Sequence, residues 1–422
     1  MNNISDLLKS KKCTCGMLHT CDIQNIIIEN NAISKIKDLL KKYKNILLVA
    51  DTNTYNACSG KLDYLFDSNS YTIKKHIFEC TGFLIPNEKS IEELKSKVSS
   101  DTDLIIGVGS GVINDLCKYV SFINKLPYFI VATAPSMDGY ASTGSALIIS
   151  NMKVTYTTHA PTAIICDISV LIDAPIDMVK AGFGDIVGKF SALNDWKLSA
   201  LINNEYFCEY VYNLTLDCVK KTINLANGLL KRKPESIKAL MEALVIVGIA
   251  MSYVKNSRPA SGSEHHLSHF FEIVGLINNE NYLFHGIDVA YSTVVTCKLR
   301  EKLLSISTPI TKKLFSKDAY LTDINKIYKH AAPEIIALQE KSKWYEKNLI
   351  PVYNEKWNEI KQLLSEVPIS EDIIDLLKKV DLNFNDFIKF YGKGKINNAI
   401  KYAKDLKDRY TVLWIYNTLG NI

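Results

Sequence analysis

The chain has 422 residues, 47% of them hydrophobic and 23% charged. That is too long for one compact core and suits two domains, and the balance excludes a disordered or fibrous protein. The net charge of +5 comes from scattered lysines with no dense basic run, which argues against a nucleic-acid partner.

No uninterrupted apolar stretch is expected to reach the roughly 20 residues that span a bilayer. The start, MNNISDLLKSKKC, lacks an apolar core followed by a small-residue cleavage site. The expectation is a cytoplasmic protein without membrane insertion, its ten cysteines free thiols in a reducing compartment. Cys13, Cys15, His19 and Cys21 lie close together near the start. A structural zinc site is one reading of them, but Cys-x-Cys is tight for two ligands from one strand and no second distant pair is evident. The expectation is an amino-terminal strand with incidental cysteines.

Residues 45–50 (NILLVA) read as a buried strand, as do 104–108 (LIIGV), 128–132 (YFIVA) and 163–166 (AIIC). Helical spacing at 91–99 and 114–122 falls between them. This alternation predicts a parallel sheet with helices on both faces. A boundary is expected near 172–175. Beyond it apolar residues recur at helical spacing, as in 206–229, 236–253 and 340–364, and 368–422 is helical and lysine-rich. The fold class is thus an α/β, Rossmann-like domain over 1–174, followed by an all-α domain over 175–422 that holds metal and substrate.

The strand at 104–108 runs into Gly109-Ser110-Gly111, which opens the helix carrying Asn114 and Asp115. Glycines let backbone approach a ligand, and a helix N-terminus offers N–H groups to an anion, so a dinucleotide pyrophosphate is the expected guest. Asp51, ending the earlier strand, is a candidate for the ribose hydroxyls and favours NAD over NADP; capping the next turn is its other role. After the strand at 128–132 comes a hydroxyl-rich turn with Thr133, Ser136, Asp138 and Ser142, a candidate binding wall at a strand's carboxyl end.

Four of the eight histidines (His265, His266, His269, His285) fall within 21 residues. His265 and His269 share a helix face. With His285 and Asp185 brought close by folding, the latter expected in the first turn of a helix opening at Gly182, one carboxylate and two imidazoles suit a divalent ion such as Zn²⁺ or Ni²⁺ with open positions. Which of His265 and His266 is the ligand stays open on spacing alone. Arg258 and Lys189 are candidate cations for a substrate phosphate.

The blocks GVGSGVIND from Gly107, TAPSMDGYAS from Thr133, GFGDIVGK from Gly182, SRPASGSEHHLSH from Ser257 and the His285-Gly286 pair together resemble the sn-glycerol-1-phosphate dehydrogenases, in their bacterial branch. These sit within the larger group of glycerol dehydrogenases, dehydroquinate synthases and iron-type alcohol dehydrogenases. The resemblance runs from about Cys13 to about Tyr291. It implies a dehydroquinate-synthase-like fold, NAD(H) or NADP(H), one divalent metal, a homodimer, and reduction of dihydroxyacetone phosphate. It implies dinucleotide contacts at Gly109, Ser110, Gly111, Asn114, Asp115, Thr133, Ser136 and Ser142, and substrate contact at Asp138. It also implies metal ligands at Asp185, His265 and His285, with Asp185 and His269 catalytic and touching substrate. His265 is preferred over His266 because the family's first ligand and substrate histidine stand four apart. A glycerol dehydrogenase on free polyol, a lyase of the dehydroquinate-synthase kind and a non-catalytic regulator are the alternatives.

Overall fold

The chain opens with a short antiparallel hairpin, β1 (Lys11–Lys12) and β2 (Leu18–His19). Five strands follow: β3 (Asn25–Glu29), β4 (Asn45–Asp51), β5 (Thr72–Phe78), β6 (Leu104–Gly109) and β7 (Tyr128–Ala132). A second hairpin, β8 (Gly144–Ile149) and β9 (Met152–Thr157), precedes β10 (Ala163–Asp167). The computed structural model describes residues 4–58, 60–79, 82, 84–149, 152–310 and 315–419. All six sheet strands pair in parallel, in the order β3-β10-β7-β6-β4-β5.

The inner strands are apolar on both faces, as a covered parallel sheet requires. Leu48, Ile106, Val131 and Ile165 face a core completed by Ile33, Ile36, Leu40 and Leu65. On the alternate face, a Cβ at Gly107 would lie 3.0 Å from Cys117 Sγ, so the helix carrying Cys117 packs there. Edge strand β5 was not foreseen. Its Lys74 and Lys75 are exposed and break the apolar run, a polar dressing usual for an edge.

Short helices α1 (Ile36–Leu39), α2 (Thr52–Ala57), α3 (Glu88–Lys95), α4 (Gly111–Ile123) and α5 (Ile168–Leu171) connect the strands. From α6 (Ile176–Asn203) onward the chain is helical: α7 (Glu209–Asn224), α8 (Pro234–Val254), α9 (Ser263–Asn278), α10 (His285–Leu304), α11 (Lys317–Tyr328), α12 (Ala332–Ser342), α13 (Ile350–Leu364), α14 (Ser370–Lys378), α15 (Phe384–Tyr402) and α16 (Val412–Leu419).

Two compact units emerge. One comprises Met1–Ile186 with Lys220–Asn256, and the other Val187–Val219 with Ser257–Ile422. In the first, α8 packs on β2, β3 and the 3-10 turn Asp138–Ala141. In the second, α10 packs against α9, α13, α14 and α16.

Two expectations are corrected. The Gly182 block does not open a helix, because α6 already begins at Ile176. Its glycine serves close packing: a Cβ at Gly182 would sit 1.9 Å from the Pro135 carbonyl oxygen. The single helix expected over 340–364 is two. Lys343 is left-handed (φ 56°) and Pro351 sits in the first turn of α13, where its missing N–H costs nothing. Among the described residues one helix is long and apolar enough to cross a membrane: α8, which Glu235, Lys238 and Glu242 interrupt and of whose most apolar 18-residue window 78% is buried inside the protein. It is a core helix. Nine of the ten cysteines fall among the described residues, and Cys80 lies outside them.

Candidate active site

The order in which strands are added reverses between β4 and β6, since β5 extends one way from β4 and β7 the other way from β6. Such a switch point opens a crevice beyond the carboxyl ends of the two strands, where α/β sheets bind ligands. The register pairs Ala50 with Val108, so Asp51 and Gly109 end side by side at that crevice.

Ser110 is the N-cap of α4 and makes no side-chain capping bond, so its side chain does not take up the first amides of the helix, which have no partner within it. The two glycines of the turn have different reasons. A Cβ at Gly109 would lie 2.6 Å from Ile113 Cβ, whereas one at Gly111 would meet only Met137, at 3.7 Å. The protein itself tolerates a side chain at Gly111, and bareness there fits close approach by a ligand. Asp51 caps α2: its Oδ1 accepts from Thr54 N at 2.9 Å and Thr54 Oγ1 accepts from Asp51 N.

Asn114 is buried and Asp115 half-buried, and both hold neighbouring loops. Asn114 Nδ2 donates to Asp115 Oδ1 at 3.2 Å, and Asp115 Oδ2 accepts from Ala146 N at 3.2 Å. Burial raises the Asp115 pKa, against the pull of Lys118 and the Ala146 N–H. Lys118, a residue sequence reasoning passed over, is fully buried. It donates to the carbonyls of Gly139 (2.8 Å) and Gly144 (2.9 Å) and to Ser142 Oγ (3.4 Å). Burial lowers its pKa to about 8 despite Asp115 and Asp138. Its signal was a lone cation, one turn after Asn114, in an otherwise apolar helix. Thr133 follows β7 and its N–H donates to the Gly109 carbonyl at 3.2 Å, which places the hydroxyl-rich turn beside the glycine turn. Thr133 and Ser142 are buried and Ser136 half-buried. Asp185 is buried on α6, its Oδ2 accepting from Asp138 N at 3.0 Å.

In the second unit, α9 and α10 gather three imidazoles. Ring centroids lie 5.2 Å apart for His265–His285, 5.4 Å for His269–His285 and 6.1 Å for His265–His269. His265 Nδ1 lies 2.7 Å from Glu264 Oε1. Glu264 is fully buried; burial opposes its charge, but His265 and the Gly262 N–H outweigh this and its pKa falls below the ordinary value. It therefore accepts a hydrogen bond from Nδ1–H, leaving Nε2 as the lone-pair nitrogen. His285 Nδ1 is 3.2 Å from Ser268 Oγ. Anchored Nδ1 atoms are what ring ligation through Nε2 requires. Glu264 was missed at the sequence level, although it stands next to His265. His266 points elsewhere. It is wholly buried, and burial, then the charges of Lys407, Arg409 and Arg258, push its pKa well down.

The start of α9 is fixed from outside the helix. Ser263 N donates to Asp195 Oδ2 at 2.7 Å, and Asp195 is paired with Arg300 at 2.8 Å. Arg258 is not presented as a substrate cation. Its guanidinium is buried, donating to Glu205 Oε1 (2.6 Å), to the Tyr410 carbonyl (2.8 Å) and to Ser199 Oγ (3.2 Å). Lys189 is likewise fully buried.

Residues 27–175 match the iron-containing alcohol dehydrogenase family. A glycerol-1-phosphate dehydrogenase (NAD(P)+) of Geobacillus thermodenitrificans is 31% identical over 341 residues, 80% of this chain and 84% of that protein. The chain belongs to the glycerol-1-phosphate dehydrogenase family. It is an oxidoreductase of that family, and a member from Halalkalibacterium halodurans is 29% identical over 98% of both chains. The fold is that of a probable glycerol dehydrogenase from Sinorhizobium meliloti (TM-score 0.62, 14% identity, covering 94% of this chain and 95% of that one).

Proposed function

We propose that this member of the glycerol-1-phosphate dehydrogenase family is a metal-dependent, NAD(P)H-linked enzyme. It reduces dihydroxyacetone phosphate to sn-glycerol 1-phosphate, reversibly. The observation that carries the metal-dependent reading is the His265–His269–His285 group with its Nδ1 atoms held by Glu264 and Ser268. The substrate reading comes from the relatives, which are named for it.

The donor set fits one divalent ion such as Zn²⁺ or Ni²⁺: two oriented imidazoles, His265 and His285, with the carboxylate of Asp185 as the family's third ligand. The residues to 174 carry the dinucleotide and the substrate-contacting Asp138, and those from 175 carry the metal and the remaining substrate contacts. When bound, the ion supplies a Lewis acid for the ketone oxygen and the reduced nicotinamide supplies the hydride. Backbone amides of Ser110 and Gly111 bind the pyrophosphate, and Asp51 accepts from ribose hydroxyls. Thr133, Ser136 and Ser142 line the dinucleotide wall, and Lys118 holds that wall in place. Asp138 contacts substrate. His269 delivers a proton to the substrate oxygen as it becomes a hydroxyl.

A second reading is favoured by Arg258, whose guanidinium is buried and spent on Glu205, Ser199 and the Tyr410 carbonyl. It leaves a substrate phosphate without this cation, as a glycerol dehydrogenase on free polyol would have it. One experiment tests both. NADH oxidation is followed with dihydroxyacetone and with its phosphate, on chelated enzyme with Zn²⁺ or Ni²⁺ added back, and the product is analysed for chirality. Metal-restored turnover of the phosphate to the 1-phosphate isomer is expected. Preference for free dihydroxyacetone establishes the second reading. Turnover without NADH consumption overturns both.

A further inference from the structure

The hairpin at the amino terminus gathers three metal-binding side chains away from the histidines of α9 and α10. Cys13, Cys15 and His19 offer ligand atoms that all lie within 4.8 Å of one another. Their backbone is a tight knuckle: Gly16 N donates to the Cys13 carbonyl and Cys13 N to the Met17 carbonyl, both at 3.1 Å. Gly16 takes φ +86°, the left-handed conformation in which glycine carries no penalty. The turn folds Cys13 and Cys15 back toward His19 on β2, so the tightness of Cys-x-Cys is relieved by curvature.

His19 is prepared for ligation. It is fully buried and stacked on Tyr253 of α8, with ring centroids 5.1 Å apart. Its Nδ1 lies 3.1 Å from the Tyr253 carbonyl oxygen. A carbonyl only accepts, so Nδ1 carries the proton and Nε2 presents its lone pair. That Nε2 is 3.5 Å from Cys15 Sγ. Zinc–sulfur and zinc–nitrogen bonds of about 2.3 and 2.0 Å at a tetrahedral angle give an S···N edge of about 3.5 Å. A carbonyl on the far ring nitrogen is the usual outer partner of a zinc-bound histidine.

We propose that Cys13, Cys15 and His19 hold a structural Zn²⁺, separate from the catalytic ion, that fastens the β1–β2 hairpin to α8. A fourth donor completes the tetrahedron. The site would matter to the active site indirectly, since α8 also carries the substrate turn: Ser252 Oγ donates to the Ala141 carbonyl at 3.1 Å.

The test uses the full-length protein, purified without oxygen, with its metal exchanged for Co²⁺. Thiolate-to-cobalt charge-transfer bands in the near ultraviolet are expected, because the proposed catalytic ligands contain no sulfur. The bands should vanish, with one metal equivalent, in the Cys13→Ser/Cys15→Ser double variant and persist in His265→Ala. Should the double variant not fold, mass spectrometry on the unaltered protein decides: alkylation of Cys13 and Cys15 should be slow and quicken at least tenfold after chelation. A cobalt spectrum without thiolate bands, or alkylation indifferent to chelator, overturns the proposal and leaves a thiol–imidazole hydrogen bond.

Discussion

The turn after β6 and the helix starts of α9 and α10 would reach the ligands proposed for them by different means. In the turn, the groups that would do so are backbone amides contributed by adjacent residues, and the side chains nearby, Asn114, Asp115 and Lys118, are spent on holding loops. In the helical unit the reactive groups are side chains, oriented by partners such as Glu264. A backbone site is sensitive to added bulk and indifferent to charge; a side-chain site is sensitive to loss of one atom and of its support. Mutations should separate the two.

The largest effect is expected at the ligand itself. His265→Ala should lower kcat/KM by about a thousandfold or more, since a metal's contribution is worth several kcal/mol, and should lower bound metal in elemental analysis. His266→Ala should leave metal content intact. Full activity in His265→Ala would sink the assignment. Next, Arg258→Ala strands the Glu205 carboxylate and should cost about 3 kcal/mol in denaturant unfolding. If stability holds and only the KM for phosphorylated substrate rises, Arg258 is a phosphate ligand after all.

Glu264→Gln keeps the shape but loses the charge that fixes the His265 tautomer; a loss of about 10- to 100-fold in metal affinity is expected, read by competition with a chromogenic chelator. The smallest and most selective effect is at Gly111. Gly111→Val should raise the KM for dinucleotide by about tenfold with stability little changed, while Gly109→Ala, pressed against Ile113, should destabilise by about 1–3 kcal/mol. Equal KM changes for dinucleotide and substrate in Gly111→Val would break the pyrophosphate placement.

What could be read beforehand follows the same division. β4, β6, β7 and β10 are covered on both faces and show as apolar runs, so the sheet was legible, whereas β5 has exposed lysines and was not. The four-residue spacing of His265 and His269 foretold their shared face. The fate of Arg258 was hidden, because its partners Glu205 and Tyr410 are 53 and 152 residues away in the chain. The Gly182 block was misplaced at a helix start because interior glycines usually weaken helices; here the helix keeps one to let the Pro135 carbonyl come near.

The interleaving of the chain bears on how it is made. The first unit is unfinished at Ile186; it waits for Lys220–Asn256, and hence for α8. A ribosome therefore releases the whole sheet, and about thirty residues belonging to the other unit, before the apolar helix that completes the first arrives. Until then the surfaces on β2, β3 and the Asp138–Ala141 turn are bare, and α8, once made, is a 21-residue apolar segment seeking them. Fragments ending before residue 256 should be sticky and chaperone-dependent, and a cut at 174 should not yield a well-behaved half.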